Sequence, residues 1–238
     1  MVALPVPFGE GQSLHCYYVA AAPWNIQSRH RYFFPLIQGG ITVRVIAGSA
    51  RGRRLKSVRG TRTRPTTDRV KENLFNILGA SVVQARVLDL FAGSGGIGIE
   101  ALSRGAAIAV FVDNERACTE IIRANLINTS LLAKAEIYTN DVLRAIRILG
   151  QKHRQFDFIY LDPPYASGLA DKALSAIADS SLLSGNGIVV AEHSSKEEIV
   201  QSALNLIRVR QARYGDTALS FYRIEGDGFE DLRMPRQL

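Results

Sequence analysis

The segment IYLDPPY, residues 159–165, runs apolar and then meets an acid, two prolines and an aromatic. Pro163 and Pro164 fix φ twice and remove two N–H donors, so the chain there is held in one shape rather than merely turned. The residue types suit chemistry on an exocyclic amine of a nucleobase, a poor nucleophile because its lone pair is delocalised into the ring. Two acceptors on its two N–H groups would draw the nitrogen towards tetrahedral geometry. Asp162 and the Pro163 carbonyl are the candidates, with Pro164 holding the direction of that carbonyl as preorganisation. Tyr165 supplies a face on which an extruded base can stack. An activated methyl donor needs neither a metal nor a covalent intermediate.

A second constellation supplies the donor. DLFAGSGGIG, residues 89–98, carries Gly93, Gly95 and Gly98 in G-x-G-x-x-G spacing, which lets backbone approach a ligand at a helix N-terminus. That spacing alone is shared with dinucleotide enzymes. Asp89 changes the reading, because a carboxylate at the strand end repels a pyrophosphate and welcomes a cation. Phe91 and Ser94 belong to the same loop. Asp113, followed by Asn114, ends the next apolar run and can accept from both hydroxyls of a ribose. Asn140 and Asp141 end the third and suit an adenine edge. Acids at three successive strand ends, with Asp162 at the fourth, describe a pocket for S-adenosyl-L-methionine; a nicotinamide dinucleotide is the alternative on these residues alone.

These residues need a parallel sheet to bring them together. Apolar strands expected over 86–90, 107–112, 135–139, 157–161 and 187–192 alternate with amphipathic stretches over 98–103, 115–128, 142–149 and 170–178. That alternation signals an α/β fold with both sheet faces covered. Segments 207–214 and 218–224, separated by Gly-Asp-Thr, read as a hairpin. The expectation is an open, mainly parallel seven-stranded sheet with a C-terminal antiparallel hairpin. A helix is expected before it, capped by Thr66 or Thr67, with Val70, Leu74, Ile77 and Leu78 on one face and Gly79 closing it.

Charge is confined. The chain carries +7 overall, whereas residues 44–72 hold ten basic residues against two acids, six of the ten within residues 51–62. Arg51, Arg53, Arg54 and Arg62 therefore read as an electrostatic footprint for a polyanion. Cys16 and Cys118 are too few for a disulfide framework or a cysteine metal site, and four scattered histidines lack ligand spacing. The longest wholly apolar run is far short of a membrane span, and a soluble, cytoplasmic protein without metal is expected. Residues 1–42 are interrupted every few positions by proline or glycine and lack signal-peptide organisation. They are expected to be a mobile extension or to lie upstream of a natural start near Val43. Residues 43–79 would form a basic arm and helix, and residues 80–238 the catalytic domain.

The motifs RVIAG (44–48), RPTTDRVKENLFNIL (64–78), DLFAGSG (89–95), EALSRGA (100–106), DPPY (162–165) and YGDTAL (214–219) resemble those of the RsmD family. These are bacterial methyltransferases that modify guanine N2 in 16S ribosomal RNA. The resemblance covers residues 43–225. It implies a Rossmann-like class I methyltransferase acting on RNA in small-subunit ribosomal particles; nothing in the sequence demands a dimer, and a monomer is expected. By the same resemblance Asp89, Gly93 and Gly95 line the cofactor pocket, Asp113 holds the ribose and Asp141 sits at the adenine. Asp162, Pro163 and Tyr165 handle the guanine, while Arg64, Pro65 and Thr66 close over the site. A DNA amino-methyltransferase shares the DPPY logic, but 73 residues after Tyr165 leave little room for a region that reads duplex sequence. A non-enzymatic RNA-binding assembly factor would explain the arginines but not the acids.

Overall fold

The computed structural model describes residues 43–57, 67–165 and 167–226. Arg62, Arg64, Thr66 and residues 1–42, with the roles expected of them, lie outside that set. Helix α1 (Asp68–Leu78) begins where Thr67 accepts from the Val70 N–H at 3.4 Å, places Asp68 in its first turn, and ends at Gly79 with φ 55°. The acid suits the positive end of the helix dipole, and the positive φ suits glycine.

The sheet alternates with helices as its apolar runs require: β3 (Arg86–Leu90), α2 (Gly96–Ser103), β4 (Ile108–Asp113), α3 (Arg116–Asn128), β5 (Ala135–Thr139), α4 (Val142–Gln151), β6 (Phe156–Leu161), α5 (Leu169–Ala178) and β7 (Leu183–Ser194). Three further strands follow, β8 (Ser202–Ala203), β9 (Leu206–Tyr214) and β10 (Thr217–Ile224). Spatial order is β5-β4-β3-β6-β7-β10-β9-β8. The first five strands are parallel, and β10 runs antiparallel between β7 and β9. Among the described residues the sheet thus has eight strands, not seven. Strand β8 pairs only Ser202 with Ile207 and Ala203 with Leu206, too short to leave a period in the sequence.

Alternation along each strand divides the core in two. Val87, Phe111, Phe158 and Val190 join α1, α2 and α3 on one face. Leu88, Val110, Ile159 and Val189 join α4 and α5 on the other. Strand order reverses at β3, between β4 and β6, which is where open α/β sheets leave a crevice beyond their carboxyl ends.

Residues 43–57 form a strap rather than a loose arm. Strands β1 (Val43–Arg44) and β2 (Arg54–Leu55) pair antiparallel; the turn between them presents Arg51 and Arg53 to solvent, and β2 presents Arg54. The buried Glu100 of α2 accepts from the N–H groups of Ile46 at 2.7 Å and Ala47 at 3.0 Å. Ser103 accepts from the Ala50 N–H at 2.9 Å and donates to the Ala47 carbonyl at 2.6 Å. Gly48, at φ 83°, lies so close that a Cβ would stand 1.8 Å from the Ser103 carbonyl oxygen.

One expectation is corrected here. Lys71, counted among the charges of the basic segment, is only 1% exposed. Its amino group donates to the Arg44 carbonyl and stands 3.6 Å from Glu100. Position 71 shares a helix face with the buried Leu74 and Phe75, so geometry carries the lysine inward. Burial lowers its pKa, against the pull of the neighbouring Glu100. This cation serves the fold.

Candidate active site

A cavity of about 410 Å³ lies beyond the carboxyl ends of β3, β4, β5 and β6, closed on one side by Val43 and Ser57 of the strap. Such a volume suits a small-molecule ligand. Asp89, Asp113, Asp141 and Asp162 all line it, as do Phe91, Gly93, Ser94, Asn114 and Pro164.

In the first half of the cavity the acids are tied to backbone. Asp89 is 2% exposed and accepts from the Gly98 N–H at 2.9 Å, behind the glycine loop. Burial pushes its carboxyl up to about 7, opposed by that N–H and reinforced by the charge of Asp113. Asp113, the last residue of β4, accepts from the N–H of Gly93 at 2.8 Å and from that of Glu115 at 2.9 Å. It thereby fixes the glycine loop against the next strand. Asp141 caps α4 by accepting from the Arg144 N–H at 3.0 Å, with Val142 and Leu143 forming apolar wall beside it. Asn125 of α3 holds loop and strap together. Its side chain donates to the carbonyls of Ser94 and Lys56, both at 2.9 Å, and accepts from the Lys56 N–H at 2.8 Å.

In the second half the acids face one another. Leu90 pairs with Leu161 across β3 and β6, which sets Asp162 beside the start of the glycine loop. Burial, then the charges of Glu192 and Asp89, push the Asp162 carboxyl well above the usual carboxylate range. Its turn is pinned by Ser167, whose hydroxyl donates to the Pro164 carbonyl at 2.6 Å.

Four expected residues stand elsewhere. Gly95, Asn140, Pro163 and Tyr165 do not line the cavity. Gly95 is the left-handed N-cap of α2 at φ 76°, so its need for glycine comes from the turn. The Asn140 N–H is taken by the Asp113 carbonyl at 3.0 Å. Pro163 is buried, and Tyr165 is half open to solvent next to Pro164. Among the RNA-binding candidates, Arg51 and Arg53 lie on the strap turn and Arg54 begins β2; none of the three lines the cavity.

The structure adds residues that sequence reasoning missed. Lys71, Tyr160 and Cys118 line the cavity, and Glu192 lies behind Tyr160. Burial and the neighbouring Asp113 raise the Cys118 thiol to about 12, leaving it un-ionised and inert. Glu192 did carry a signal: it lies within two residues of the end of an apolar strand, as Asp89, Asp113, Asp141 and Asp162 do.

Topology, switch point and acid-lined cavity together define the class I methyltransferase fold. The chain belongs, within that class, to the RsmD family, whose model, described as "Conserved hypothetical protein 95", matches residues 43–223. It is 42% identical over 184 residues to the YlbH protein of Bacillus subtilis, covering 77% of this chain and all of that one. It is 33% identical over 197 residues to Ribosomal RNA small subunit methyltransferase D of Escherichia coli, covering 83% of this chain and 98% of that protein. The solved structure of yhhF from Escherichia coli superposes with a TM-score of 0.68 at 34% identity, over 77% of this chain and 98% of that one.

Proposed function

We propose that the protein transfers a methyl group from S-adenosyl-L-methionine to the exocyclic N2 amine of a guanine in 16S ribosomal RNA within small-subunit particles. The observation that carries the reading is the convergence of Asp89, Asp113, Asp141 and Asp162 in one cavity at the switch point. The name of the Escherichia coli relative supports small-subunit ribosomal RNA as substrate.

The residues present fit the donor. Gly93 leaves open space where a Cβ would stand, at a helix N-terminus. Asp89 offers a carboxylate to an ammonium, Asp113 has lone pairs left for ribose hydroxyls, and Asp141 with Val142 and Leu143 offers a polar edge and an apolar wall to a purine. When bound, S-adenosyl-L-methionine supplies an electrophilic methyl group on a sulfonium. The chain's own part is orientation. Asp162 accepts from one amine N–H, the DPPY turn fixes the second acceptor at the Pro163 carbonyl, and Tyr165 presents a stacking face. Arg51, Arg53 and Arg54 meet phosphate from the strap.

The test is incubation with labelled S-adenosyl-L-methionine and unmodified small-subunit particles, followed by mass-spectrometric mapping of the methylated nucleotide. N2-methylguanine at a single position is expected. A label on another base, or on DNA in preference to RNA, overturns the reading.

A further inference from the structure

The motif YGDTAL, residues 214–219, closes the β9–β10 hairpin and has no part in the cavity described above. Strands β7 and β9 both run antiparallel to β10, so β9 ends at the same sheet edge as β6 and β7, the edge that bears the cavity. The turn is held there. The Ser195 N–H, just past the end of β7, donates to the Asp216 carbonyl at 2.8 Å, and Thr217 pairs with Ser194 on one side and Tyr214 on the other. Tyr214 stands three strands from β6, roughly 14 Å at the spacing of paired strands.

Alternation puts Arg210, Ala212 and Tyr214 on the sheet face that α1 covers. Arg210 pairs with Phe221, and Ala212 and Tyr214 pack against the core of that face. Arg69 is exposed in the first turn of α1. Burial raises the Tyr214 phenol, against the positive charges of Arg210 and Arg69 that reach it, so the hydroxyl stays un-ionised and can donate. The neighbouring acid, Asp68, is paired with Arg44 of the strap at 2.8 Å. Among the described residues neither Arg69 nor Arg210 forms an ion pair.

Two basic surfaces thus flank the target half of the cavity. The strap lies against α3, where Asn128 donates to the Arg54 carbonyl at 3.0 Å, and the hairpin lies beyond β7. Extruding a base costs stacking energy, which phosphate contacts on both sides of the extruded nucleotide offset. We propose that Arg69, Arg210 and Tyr214 form a second RNA-binding surface, which holds the strand on the side of the target nucleotide away from the strap. The inference rests on the proposed RNA substrate. The two guanidiniums take phosphate, and the Tyr214 hydroxyl donates to a phosphate or ribose oxygen. None of the three touches the reacting atoms, so they act on RNA affinity and not on the transfer step.

The test is filter binding of unmodified small-subunit particles to the full chain across a salt series, with methyl transfer measured beside it. Arg69→Gln combined with Arg210→Gln should weaken binding about tenfold or more and lower the slope of log affinity against log salt by about two, one for each phosphate contact. Its kcat at saturating particles and its affinity for S-adenosyl-L-homocysteine should change less than about twofold. Arg69→Lys with Arg210→Lys should restore the slope, and Tyr214→Phe should weaken binding by about threefold with the slope unchanged. Arg147→Gln with Lys172→Gln removes the same charge from exposed positions on α4 and α5, on the opposite face, and should leave the slope as in wild type. An unchanged slope and affinity in the Arg69 and Arg210 variant overturns the proposal, as does an equal loss in the Arg147 and Lys172 variant. If the slope falls as expected but the wild type methylates no RNA, the proposed function has failed and the binding surface stands.

Discussion

The two edges of the same sheet use aspartate in opposite ways. At the amino edge, Asp157 of β6 accepts from the Arg86 N–H at 2.8 Å, from the Arg86 guanidinium at 3.0 and 2.8 Å, and from Ser184 at 2.8 Å. Hydrogen bonding by Arg86 holds its carboxyl down to about 2. At the carboxyl edge, burial raises Asp89 to about 7 and lifts Asp162 well above the usual carboxylate range. An acid given a cation by the fold stabilises the fold. An acid buried beside other acids destabilises it when ionised, and is retained for what it binds or what it does to a proton. The sign of the shift therefore separates the clasp from the site.

The comparison breaks most visibly at Asp162. Asp162→Ala should lower methyl transfer by at least about 10³-fold while calorimetric affinity for S-adenosyl-L-homocysteine changes less than about threefold. Retained transfer would remove Asp162 from the chemistry. Next comes Asp89→Asn, expected to weaken the same ligand by roughly tenfold to a hundredfold, the worth of a hydrogen bond to a charged group. For wild type, affinity for this ammonium-bearing ligand should weaken as pH falls through about 7, because only ionised Asp89 attracts it, and Asp89→Asn should flatten that dependence. The linkage has the sign of a raised group: the stability Asp89 contributes is present below its unfolded pKa and is lost as pH rises through about 7.

The smallest effect belongs to the amino edge. Asp157→Asn should leave methyl transfer unchanged and lower Tm by only about 2–4 °C, because the Arg86 pair is partly exposed and screened, worth about 1 kcal/mol or less. Here the folded pKa is depressed, so the contribution is present at neutral pH and disappears as pH falls towards about 2. A Tm difference that survives acid would assign the loss to packing instead.

Most of the scaffold was legible because each central strand is an apolar run long enough to be counted, bounded by a turn or an acid. The four aspartates could be found for a similar reason, each standing within two residues of the end of such a strand. What escaped depends on pairs distant in sequence. Lys71 reads as a surface charge until Glu100, on another helix, is seen beside it. Glu192 reads as an ordinary strand end until register sets it level with Asp162. Strands β2 and β8, two residues each, are defined by their partners and not by their own residues. Gly95 and Asn140 belong to the expected loops, but the local turn takes them off the cavity lining.

The strap has a consequence for the order of events on the ribosome. Lys56 is held by the side chain of Asn125, 69 residues further along the chain, and Ile46 by that of Glu100, 54 residues further along. A chain made from its N-terminus exposes residues 43–57 well before either partner exists. One wall of the cavity therefore cannot be set until α3 has emerged, so the strap is among the first parts of the described fold to be synthesised and waits for its final place.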